Sequence, residues 1–314
     1  MDNDFLLFDR IEKIKSVINQ YGEENFYLSF SGGKDSTILH YLIDMAIPNN
    51  QIPRVYSNTG IELNMIRDFV YNLQKNDKRI IILKPQNNIK KILEEHGYPF
   101  KSKDYSAVLS SFQNGNKNGK WINNYLNSSG KYSCPKKLKY QFSDDFKIKI
   151  SDKCCYFMKE KPLDDWKNSN NKPYSIIGIM PVEGGRRSAA KCMAFKRKGQ
   201  FNFQPLVPLN KEWEDWFVSK YNIKLCDLYY PPYNFPRTGC KGCPFNINLQ
   251  KSLNTLEEFF PDERKQCEYI WKPIYTEYRR IKYRLKDEYY HQITFEEFIK
   301  NENKINKIKK ESEF

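Results

Sequence analysis

The sequence has no long apolar run. None of its segments approaches the roughly 20 apolar residues that a membrane-spanning helix needs, although 39% of the 314 residues are hydrophobic and 15% are aromatic. That share of apolar residues is enough to build a buried core. The first residues, Met-Asp-Asn-Asp, lack the basic and then apolar order of a secretory signal. We therefore expect a globular cytoplasmic protein with no membrane association.

Two common nucleotide-binding signatures are also missing. The chain contains neither Gly-x-x-x-x-Gly-Lys-Ser/Thr, which marks the P-loop NTPases, nor Gly-x-Gly-x-x-Gly, which marks the dinucleotide-binding folds. No internal repeat is visible. These absences exclude membrane-spanning proteins, P-loop NTPases and dinucleotide-binding proteins before any residue is assigned a role.

What the chain does contain is the sequence Ser-Gly-Gly-Lys-Asp-Ser at 31–36, between a strand-like apolar segment (26–30) and a helix-like segment (37–46). Adjacent glycines allow a tight turn that directs successive N–H groups to one point, and the following helix adds its positive end there. This pattern predicts a phosphate-binding turn. The alternative is an ordinary glycine turn that caps a βα unit and has solvated charges.

The N-terminal part of the chain predicts repeated βα units. A helical period at 5–18 is followed by strands, each leading into a helix, and a further strand is predicted at 175–180. The predicted strand and helix pairs are 26–30 with 37–46, 54–57 with 63–74, and 79–83 with 89–95. Such a pattern favours a parallel sheet whose ligands bind beyond the carboxyl ends of the strands. The turn Asn58-Thr59-Gly60-Ile61-Glu62 lies at one of these ends, as does the 31–36 motif.

The predicted domain organisation has four parts. Residues 1–99 form the first part of a nucleotide-binding domain, 100–150 a basic aromatic insertion that is partly mobile, 151–230 the remainder of the domain, and 231–314 a cysteine-bearing loop followed by helices. The helices are predicted at 213–220, 256–270, 273–285 and 295–309.

Eight cysteines in a cytoplasmic chain are expected to be thiols, metal ligands or catalytic groups. Cys154 and Cys155 are adjacent, and Cys240 and Cys243 form a Cys-x-x-Cys pair, so four ligands are available. They suit either a tetrahedral Zn²⁺ site or a [4Fe-4S] cluster. Of the other cysteines, Cys134 lies within the basic aromatic insertion and is a candidate sulfur carrier.

The charge of the chain is strongly basic. With 52 Lys and Arg against 38 Asp and Glu, the formal net charge is +14. Such a charge attracts nucleic acid and nucleotides, and the lysines and aromatic residues of the insertion are typical of single-strand binding surfaces. The alternative for the insertion is a solvated loop without a ligand.

These motifs resemble the PAPS reductase / ATP pyrophosphatase superfamily, also called PP-loop or adenine nucleotide alpha hydrolase-like. The resemblance covers most of 26–245. It rests on the 31–36 loop, the turns at 58–62 and 183–187, the segment Pro205-Leu206…Trp213…Asp215-Trp216, and the four cysteines. It implies an α/β fold with a twisted parallel sheet of the Rossmann-like, HUP type, and a helical C-terminal region that carries a cysteine-ligated metal or Fe–S site.

The resemblance also implies roles for individual residues. The loop holds the β- and γ-phosphates while ATP, bound with Mg²⁺, is split into AMP and pyrophosphate. Lys34 and Asp35 are implied as catalytic. Phosphate contacts are implied for Ser31, Gly32, Gly33, Lys34, Asp35 and Ser36. Contacts with adenosine are implied for Asn58, Thr59, Gly60 and Glu62, and contacts with the phosphates for Arg186 and Arg187, whose alternative is a pair of surface arginines. The cysteine pattern resembles the one that holds a [4Fe-4S] cluster, with Zn²⁺ as the alternative.

Two departures from the sulfonucleotide reductases refine this picture. No cysteine follows Cys267, so the nucleophilic cysteine of their tail is missing, and the 31–36 loop retains the form expected of members that hydrolyse ATP. The combination resembles the PAPS-reductase-like sulfur-transfer proteins of the DNA phosphorothioation type. It implies an adenylylating sulfurtransferase that acts on DNA or tRNA, with a cysteine desulfurase-like sulfur donor and partner subunits. The alternatives are a PAPS or APS reductase that uses an external thiol, and a non-catalytic nucleic-acid-binding module with a structural metal.

Overall fold

The computed structural model describes residues 2–130, 133–180, 189–196 and 199–286 of the chain. Within these residues, six strands form one sheet in the order β3-β2-β1-β4-β6-β5. The strands are β1 (Phe26–Ser29), β2 (Arg54–Ser57), β3 (Ile80–Leu83), β4 (Tyr174–Ile176), β5 (Met193–Phe195) and β6 (Phe201–Phe203). All neighbouring strands are parallel except β5, which is antiparallel to β6. The predicted fold class, a mostly parallel α/β sheet with flanking helices, is confirmed.

Helices make up much of the remaining described chain. Their bounds are α1 (Asn3–Tyr21), α2 (Lys34–Ala46), α3 (Asn64–Asn76), α4 (Ile89–His96), α5 (Lys103–Gln113), α6 (Lys120–Asn127), α7 (Lys153–Cys155), α8 (Lys161–Ser169), α9 (Lys211–Lys220), α10 (Leu249–Phe259), α11 (Pro261–Ile270) and α12 (Lys272–Arg280). A π-helical turn, Tyr156–Glu160, joins α7 to α8. None of the helices in the described residues is long and apolar enough to cross a membrane.

The central strands are buried because both of their faces are covered. β2 is buried throughout and β1 is buried except at Ser29, as expected of parallel strands between two helical layers. The first core fills the space between the sheet and helices α1, α2 and α9. Arg54 is a charged residue in this buried strand, and its guanidinium is bound by Asp44 at 2.7 Å and Asn50 at 2.6 Å. A buried charge is tolerated only with such partners.

A second core lies beside the first. It joins α4 and α5 to the C-terminal helices α10, α11 and α12, and it includes buried Tyr105, Cys134 and Leu138 from the predicted insertion. The 100–150 segment therefore carries helices and contributes to a core, which differs from the expectation of a partly mobile loop. The helical periodicity of this segment is hard to recognise in the sequence, because its buried apolar residues are spread among many Lys, Asn and Ser residues.

The predicted bounds of the strands and helices are close to the observed ones in the βα units and agree less well elsewhere. The predicted helix at 256–270 is two helices, because Pro261 begins α11 at N1 and has no N–H with which to continue α10. The short strand β5 and the helix α8 are absent from the sequence-based prediction. The predicted helix at 295–309 lies outside the described residues.

Candidate functional site

The 31–36 loop connects β1 to α2, as predicted. Gly32 has a φ of +69°, and a Cβ at this position would lie 2.6 Å from Val70 Cγ2. Both the left-handed backbone and the contact with α3 therefore require glycine. Gly33 is extended and caps α2, so the first N–H groups of that helix are directed to the mouth of the loop, where an anion is favoured.

The two serines of the motif hold the loop in shape. The Ser36 hydroxyl donates to the Gly33 carbonyl at 2.9 Å and accepts from the Ser31 N–H at 3.2 Å. The Ser31 hydroxyl lies 3.0 Å from the Ser36 hydroxyl and accepts from the Gly33 N–H at 3.3 Å. The serines thus close a local network inside the loop.

A residue far along the chain also reaches the loop. The Tyr229 hydroxyl accepts the backbone N–H of Lys34 at 2.9 Å and lies 2.8 Å from the Thr238 hydroxyl. The N–H groups of Gly33 and Lys34 therefore end on neutral hydroxyls. An anionic oxygen forms stronger hydrogen bonds with such donors than a hydroxyl does.

The charged residues of the loop meet two carboxylates at the start of α9. The Lys34 ammonium contacts Asp215 and lies 3.7 Å from Glu214 Oε2. Glu214 is only 5% exposed, and its Oε1 has no hydrogen-bond partner among the described residues. Burial, together with the nearby charge of Asp35, raises the pKa of Glu214 to about 8. The carboxyl groups of Asp35, Glu214 and Asp215 can together stabilise one positive charge in addition to that of the Lys34 ammonium.

Sequence reasoning did not select Glu214 as a site residue, and it used Asp215 only as part of a motif. The available signal was the acidic pair in the first turns of a predicted helix. Nothing in the sequence indicates that this helix packs beside a loop almost 200 positions earlier.

The loop lies where the strand order reverses. Gly178 follows β4, and a Cβ at this position would lie 3.1 Å from the Asp35 carbonyl carbon. The end of β4 thus packs directly against the loop that follows β1. In open α/β sheets this divide between neighbouring strands is where ligands bind.

The predicted adenosine turn at 58–62 lies at the end of β2. The Thr59 hydroxyl donates to Glu62 Oε1 at 2.6 Å, and the Gly60 N–H donates to Asn58 Oδ1 at 3.1 Å. Glu62 forms an isolated β-bridge with Cys240. The turn is therefore ordered by its own side chains and pairs with the cysteine-bearing loop.

Two buried oxygens near this turn have no hydrogen-bond partner among the described residues. They are the Tyr56 hydroxyl and Glu62 Oε2. Burial and then the charge of Glu62 raise the pKa of Tyr56. Buried polar atoms without partners are rare in folded proteins, so this region between the turn and the cysteines is unusually polar.

The structure brings the four predicted cysteine ligands into one neighbourhood. Cys154 and Cys155 are adjacent on α7 and their thiols influence each other's pKa, and the thiols of Cys240 and Cys243 interact electrostatically with Cys155. Burial raises the pKa of Cys243 to about 12. The charge of Cys240 raises the pKa of Lys159.

The convergence of these thiols falls short of a metal centre. Across the described ranges, no group of three or more His, Cys, Asp or Glu side chains is arranged to hold a metal ion. The donor set, four thiols from two segments, is nevertheless the type that holds Zn²⁺ or an Fe–S cluster. Residues Cys154, Cys155, Cys240 and Cys243 therefore fit such a group by chemistry, and the metal itself stays a prediction.

Local backbone features support the cysteine segments. The π-helical turn begins directly after Cys155, and the Ser57 hydroxyl donates to the Met158 carbonyl at 2.8 Å, which attaches this turn to the end of β2. Gly242 has a φ of +60°, and a Cβ there would lie 2.7 Å from Cys267 Sγ. The Cys-x-x-Cys loop therefore requires glycine at this position. A π-helical turn such as the one after Cys155 often marks a functional site.

Arg186 and Arg187, the predicted phosphate-binding arginines, lie outside the described residues. The structure thus tests neither the phosphate role nor the alternative of a surface pair.

The fold and the loop define an α/β protein with a glycine turn suited to anions at the divide between β1 and β4. No model of a known protein family matches the chain, and no curated protein matches its sequence.

Solved structures similar to this chain include several nucleotide enzymes. The phosphoadenylyl-sulfate (PAPS) reductase from Candida auris is 10% identical with a TM-score of 0.40, covering 69% of this chain and 88% of the reductase. The NH3-dependent NAD synthetase from Campylobacter jejuni is 13% identical with a TM-score of 0.41, covering 93% of this chain and 100% of the synthetase. The FMN adenylyltransferase from Candida glabrata, in complex with ATP, is 11% identical with a TM-score of 0.41.

This last match covers 71% of the chain and 58% of the adenylyltransferase, so the chain spans less than two thirds of that enzyme.

Proposed function

We propose that this protein is an ATP-dependent adenylylating sulfurtransferase that splits ATP into AMP and pyrophosphate and acts on nucleic acid. One observation carries the proposal. The Tyr229 hydroxyl accepts the Lys34 N–H of the anion loop and contacts Thr238, which lies two residues before Cys240. Phosphate chemistry at the loop and sulfur chemistry at the cysteines would therefore take place at neighbouring sites.

The anion loop is suited to holding pyrophosphate. In this proposal the N–H groups of Gly33 and Lys34 exchange their hydroxyl partners for phosphate oxygens, and the hydroxyls of Ser31 and Ser36 complete the binding site. The Lys34 ammonium, now paired with Asp215, neutralises part of the charge that develops as the bond between the α- and β-phosphates breaks.

The carboxylates near Lys34 would serve the metal that accompanies ATP. Asp35 and Glu214 lie close enough to raise the pKa of Glu214, and oxygen ligands of this type are those that Mg²⁺ prefers. Mg²⁺ bound with the triphosphate would screen its charge and favour attack on the α-phosphate. An acceptor oxygen attacks there and becomes adenylylated, and pyrophosphate leaves.

The second half of the reaction needs sulfur. A sulfur nucleophile attacks the carbon or phosphorus atom bonded to the adenylylated oxygen, and AMP leaves with that oxygen and the bonding electron pair. Cys154, Cys155, Cys240 and Cys243 would hold a [4Fe-4S] cluster or Zn²⁺, and a bound cluster would supply a site for sulfur. Lys159, which interacts electrostatically with Cys240, would hold that segment in place. A cysteine desulfurase-like partner would provide the sulfur as a persulfide, and a thiol reductant would cleave the S–S bond to the carrier, supplying the two electrons that leave the transferred sulfur at the sulfide level.

Two other functions are consistent with parts of the site. A PAPS or APS reductase that uses an external thiol would need the anion loop and the cysteines but no ATP cleavage. A non-catalytic nucleic-acid-binding module would bind DNA or RNA with a steep salt dependence and would turn over no nucleotide.

The experiment measures pyrophosphate release from ATP and Mg²⁺ by anaerobically purified protein, with and without DNA or tRNA. We expect release that one nucleic acid stimulates. Asp35→Ala should abolish the release, whereas Asp262→Ala, which removes an exposed carboxylate in the first turn of α11, should leave it unchanged. Absence of release under all conditions would reject the proposal. Binding of PAPS or APS would then favour the reductase, and salt-dependent binding of nucleic acid alone would favour the module.

A further inference from the structure

A group of cations lies beside the cysteine-bearing loop, apart from the anion loop and the 58–62 turn. The sequence predicts a binding surface in the 100–150 segment alone and assigns no role to the end of α12. The structure joins these two regions into one surface, which we call the basic ridge. Its members are Lys101, Lys137, Lys139, Arg280, Lys282 and Arg284.

Contacts between the two regions hold the ridge together. The Lys137 ammonium donates to the Lys282 carbonyl at 3.3 Å, and the Lys101 N–H donates to the Tyr278 hydroxyl at 2.8 Å. The backbone is left-handed at both Lys101 and Lys282, with φ values of +56° and +48°. Residues other than glycine keep this conformation only where the surrounding contacts fix it, so both lysines are held in place.

The strongest feature of the ridge is the pair formed by Lys101 and Arg284. Both side chains are half-buried, and among the described residues neither forms an ion pair with a carboxylate. Burial and then the charge of Arg284 lower the pKa of Lys101. Two like charges that lie close together repel each other, and an anion bound by both would remove this repulsion. Phosphate suits the site, because a guanidinium binds phosphate oxygens in pairs.

The same pair lies beside the Cys-x-x-Cys loop. Pro244 directly follows Cys243, and its carbonyl accepts hydrogen bonds from the Arg284 guanidinium and from the Tyr278 hydroxyl, the latter at 3.0 Å. The Tyr278 hydroxyl is also the group that accepts the Lys101 N–H. A ligand held by Lys101 and Arg284 would therefore lie next to the loop that carries two of the predicted metal ligands.

The ridge also offers an exposed aromatic surface. The Tyr140 ring is 38% exposed, and the Arg280 guanidinium lies 5.2 Å from the centre of that ring. Arg280 neutralises Glu277, to which the Tyr140 hydroxyl donates. Aromatic rings and guanidinium planes stack on nucleobases, and lysines pair with phosphates. The combination favours a nucleic acid strand over an acidic protein segment, whose carboxylates would leave the aromatic surface unused.

We propose that the basic ridge binds the phosphate backbone of a nucleic acid strand, with one phosphate held by Lys101 and Arg284 and neighbouring phosphates at Lys137 and Lys139. A strand in this position passes the Cys-x-x-Cys loop. Its assignment as the acceptor of the sulfur rests on the function proposed above, whereas the binding itself does not.

The test uses the full-length protein and a fluorescein-labelled single-stranded 12-mer, made as DNA and as RNA. The Kd is measured by fluorescence anisotropy over a series of salt concentrations, with unlabelled polyglutamate as a competitor that has no bases. The variants are Lys101→Gln and the double variant Lys137→Gln/Lys139→Gln. The control is Lys13→Gln/Lys15→Gln, which removes two exposed lysines of α1 and changes the net charge by the same amount as the double variant.

The expected effects follow from counterion release. Each phosphate contact of a single strand contributes about 0.7 to the slope of log K against log salt, which corresponds to about fivefold in affinity at about 0.1 M salt. We expect the Kd to rise about fivefold for Lys101→Gln and about 25-fold for the double variant, and the slope to fall by about 0.7 and about 1.4. The control should change the Kd less than about twofold, because charges more than about 10 Å from the strand are screened at this salt concentration.

Thermal unfolding of each variant separates binding from stability. Lys137 and Lys139 are exposed, so the double variant should unfold at the temperature of the wild type. It therefore tests the ridge even if Lys101→Gln lowers the unfolding temperature.

The outcomes are distinct. Losses in the ridge variants that exceed those of the control support the ridge, and a preference for DNA or RNA names the class of strand. Losses no larger than in the control, no binding of the 12-mer to the wild type, or competition by polyglutamate as strong as that by unlabelled 12-mer would overturn it. If the ridge variants lose the 12-mer while no condition yields pyrophosphate, the proposed function fails and the ridge stands. If nucleic acid stimulates pyrophosphate release equally in all variants, the function stands and the ridge fails.

Discussion

The hydroxyl of Tyr229 accepts the backbone N–H of Lys34 at 2.9 Å, although the two residues lie 195 positions apart. This contact fills a donor of the anion loop with a neutral oxygen. A ligand phosphate that uses the same N–H must therefore displace the tyrosine hydroxyl.

Removing that hydroxyl should increase the affinity for pyrophosphate. In Tyr229→Phe the competing acceptor is absent and the Lys34 N–H is unsatisfied in the free protein. A hydrogen bond contributes about 1 kcal/mol net, so we expect roughly fivefold tighter binding by isothermal titration calorimetry. Tyr230→Phe is the control, because that hydroxyl makes only long contacts of 3.4 Å with Ile223 and Leu225. Weaker binding by Tyr229→Phe would instead mean that the hydroxyl itself holds the ligand.

Replacing Gly32 should damage both the fold and the loop. Gly32→Ala places a Cβ at a φ of +69° and 2.6 Å from Val70 Cγ2. The backbone term alone is about 1 kcal/mol, and the overlap adds about 1–3 kcal/mol. Gly199→Ala has a similar φ of +70° with nothing within 4 Å, so it carries only the backbone term. Equal losses in the free energy of unfolding by urea would show that the contact with α3 is unimportant.

The buried Glu214 should make stability depend on pH. Burial and the charge of Asp35 raise its pKa from 4.5 to about 8, so the folded state binds the proton more tightly than the unfolded state does. Stability should therefore fall as pH rises from about 4.5 to about 8, by no more than a few kcal/mol, since one pKa unit corresponds to 1.36 kcal/mol.

Glu214→Gln removes this penalty, so its advantage in unfolding temperature should grow across that interval and then level off. Glu212→Gln, an exposed position in the same helix, should follow the wild type. An advantage for Glu214→Gln that does not change with pH would contradict the assignment of the raised pKa.

Removing a partner of the buried guanidinium of Arg54 should lower the free energy of unfolding substantially. Asp44 binds both Arg54, at 2.7 Å, and Arg79, at 2.8 Å, and Arg54 is fully buried. Asp44→Asn would leave that charge without its anion, and we expect a loss of about 3 kcal/mol in the free energy of unfolding. Asp9→Asn, which removes the half-exposed carboxylate beside Arg10, should cost less than about 1 kcal/mol. Comparable losses in chemical denaturation would show that Asp44 acts only as a surface charge.

The metal content of the protein should follow the four converging cysteines. Protein purified without oxygen should contain iron and inorganic sulfide, or zinc, and Cys243→Ser should lose most of it. Cys192→Ser removes a half-buried thiol outside the four and should retain it. Elemental analysis with a sulfide assay decides between cluster and zinc, and a metal-free protein would remove the cofactor from the proposed function.

Part of this architecture could be predicted from the sequence, for physical reasons. Strands such as Ile80–Leu83 are short apolar runs followed by turn residues and periodic helices, and their period is a local property. The loop at 31–36 was also recognisable, because its glycines and its strand and helix context are contiguous. The structure places it as predicted between β1 and α2.

The structural features that could not be predicted from the sequence depend on contacts between distant segments. The strand β5 has three residues and no alternation of its own, and it exists because Met193 and Phe195 pair with β6. The pKa of Glu214 is raised by burial and by the charge of Asp35, which lies 179 positions earlier, and Tyr229 reaches Lys34 across a similar distance. No local pattern contains these relationships.

The side chain of Tyr229 packs against both hydrophobic cores, as Phe69 also does. The cores therefore share two aromatic residues, one of which also contacts the anion loop. Opening of either core would expose the same rings to water. Amide protons of α2 and α12, which belong to different cores, should thus exchange with deuterium through one common opening, and an anion bound at Lys34 should slow both to a similar extent.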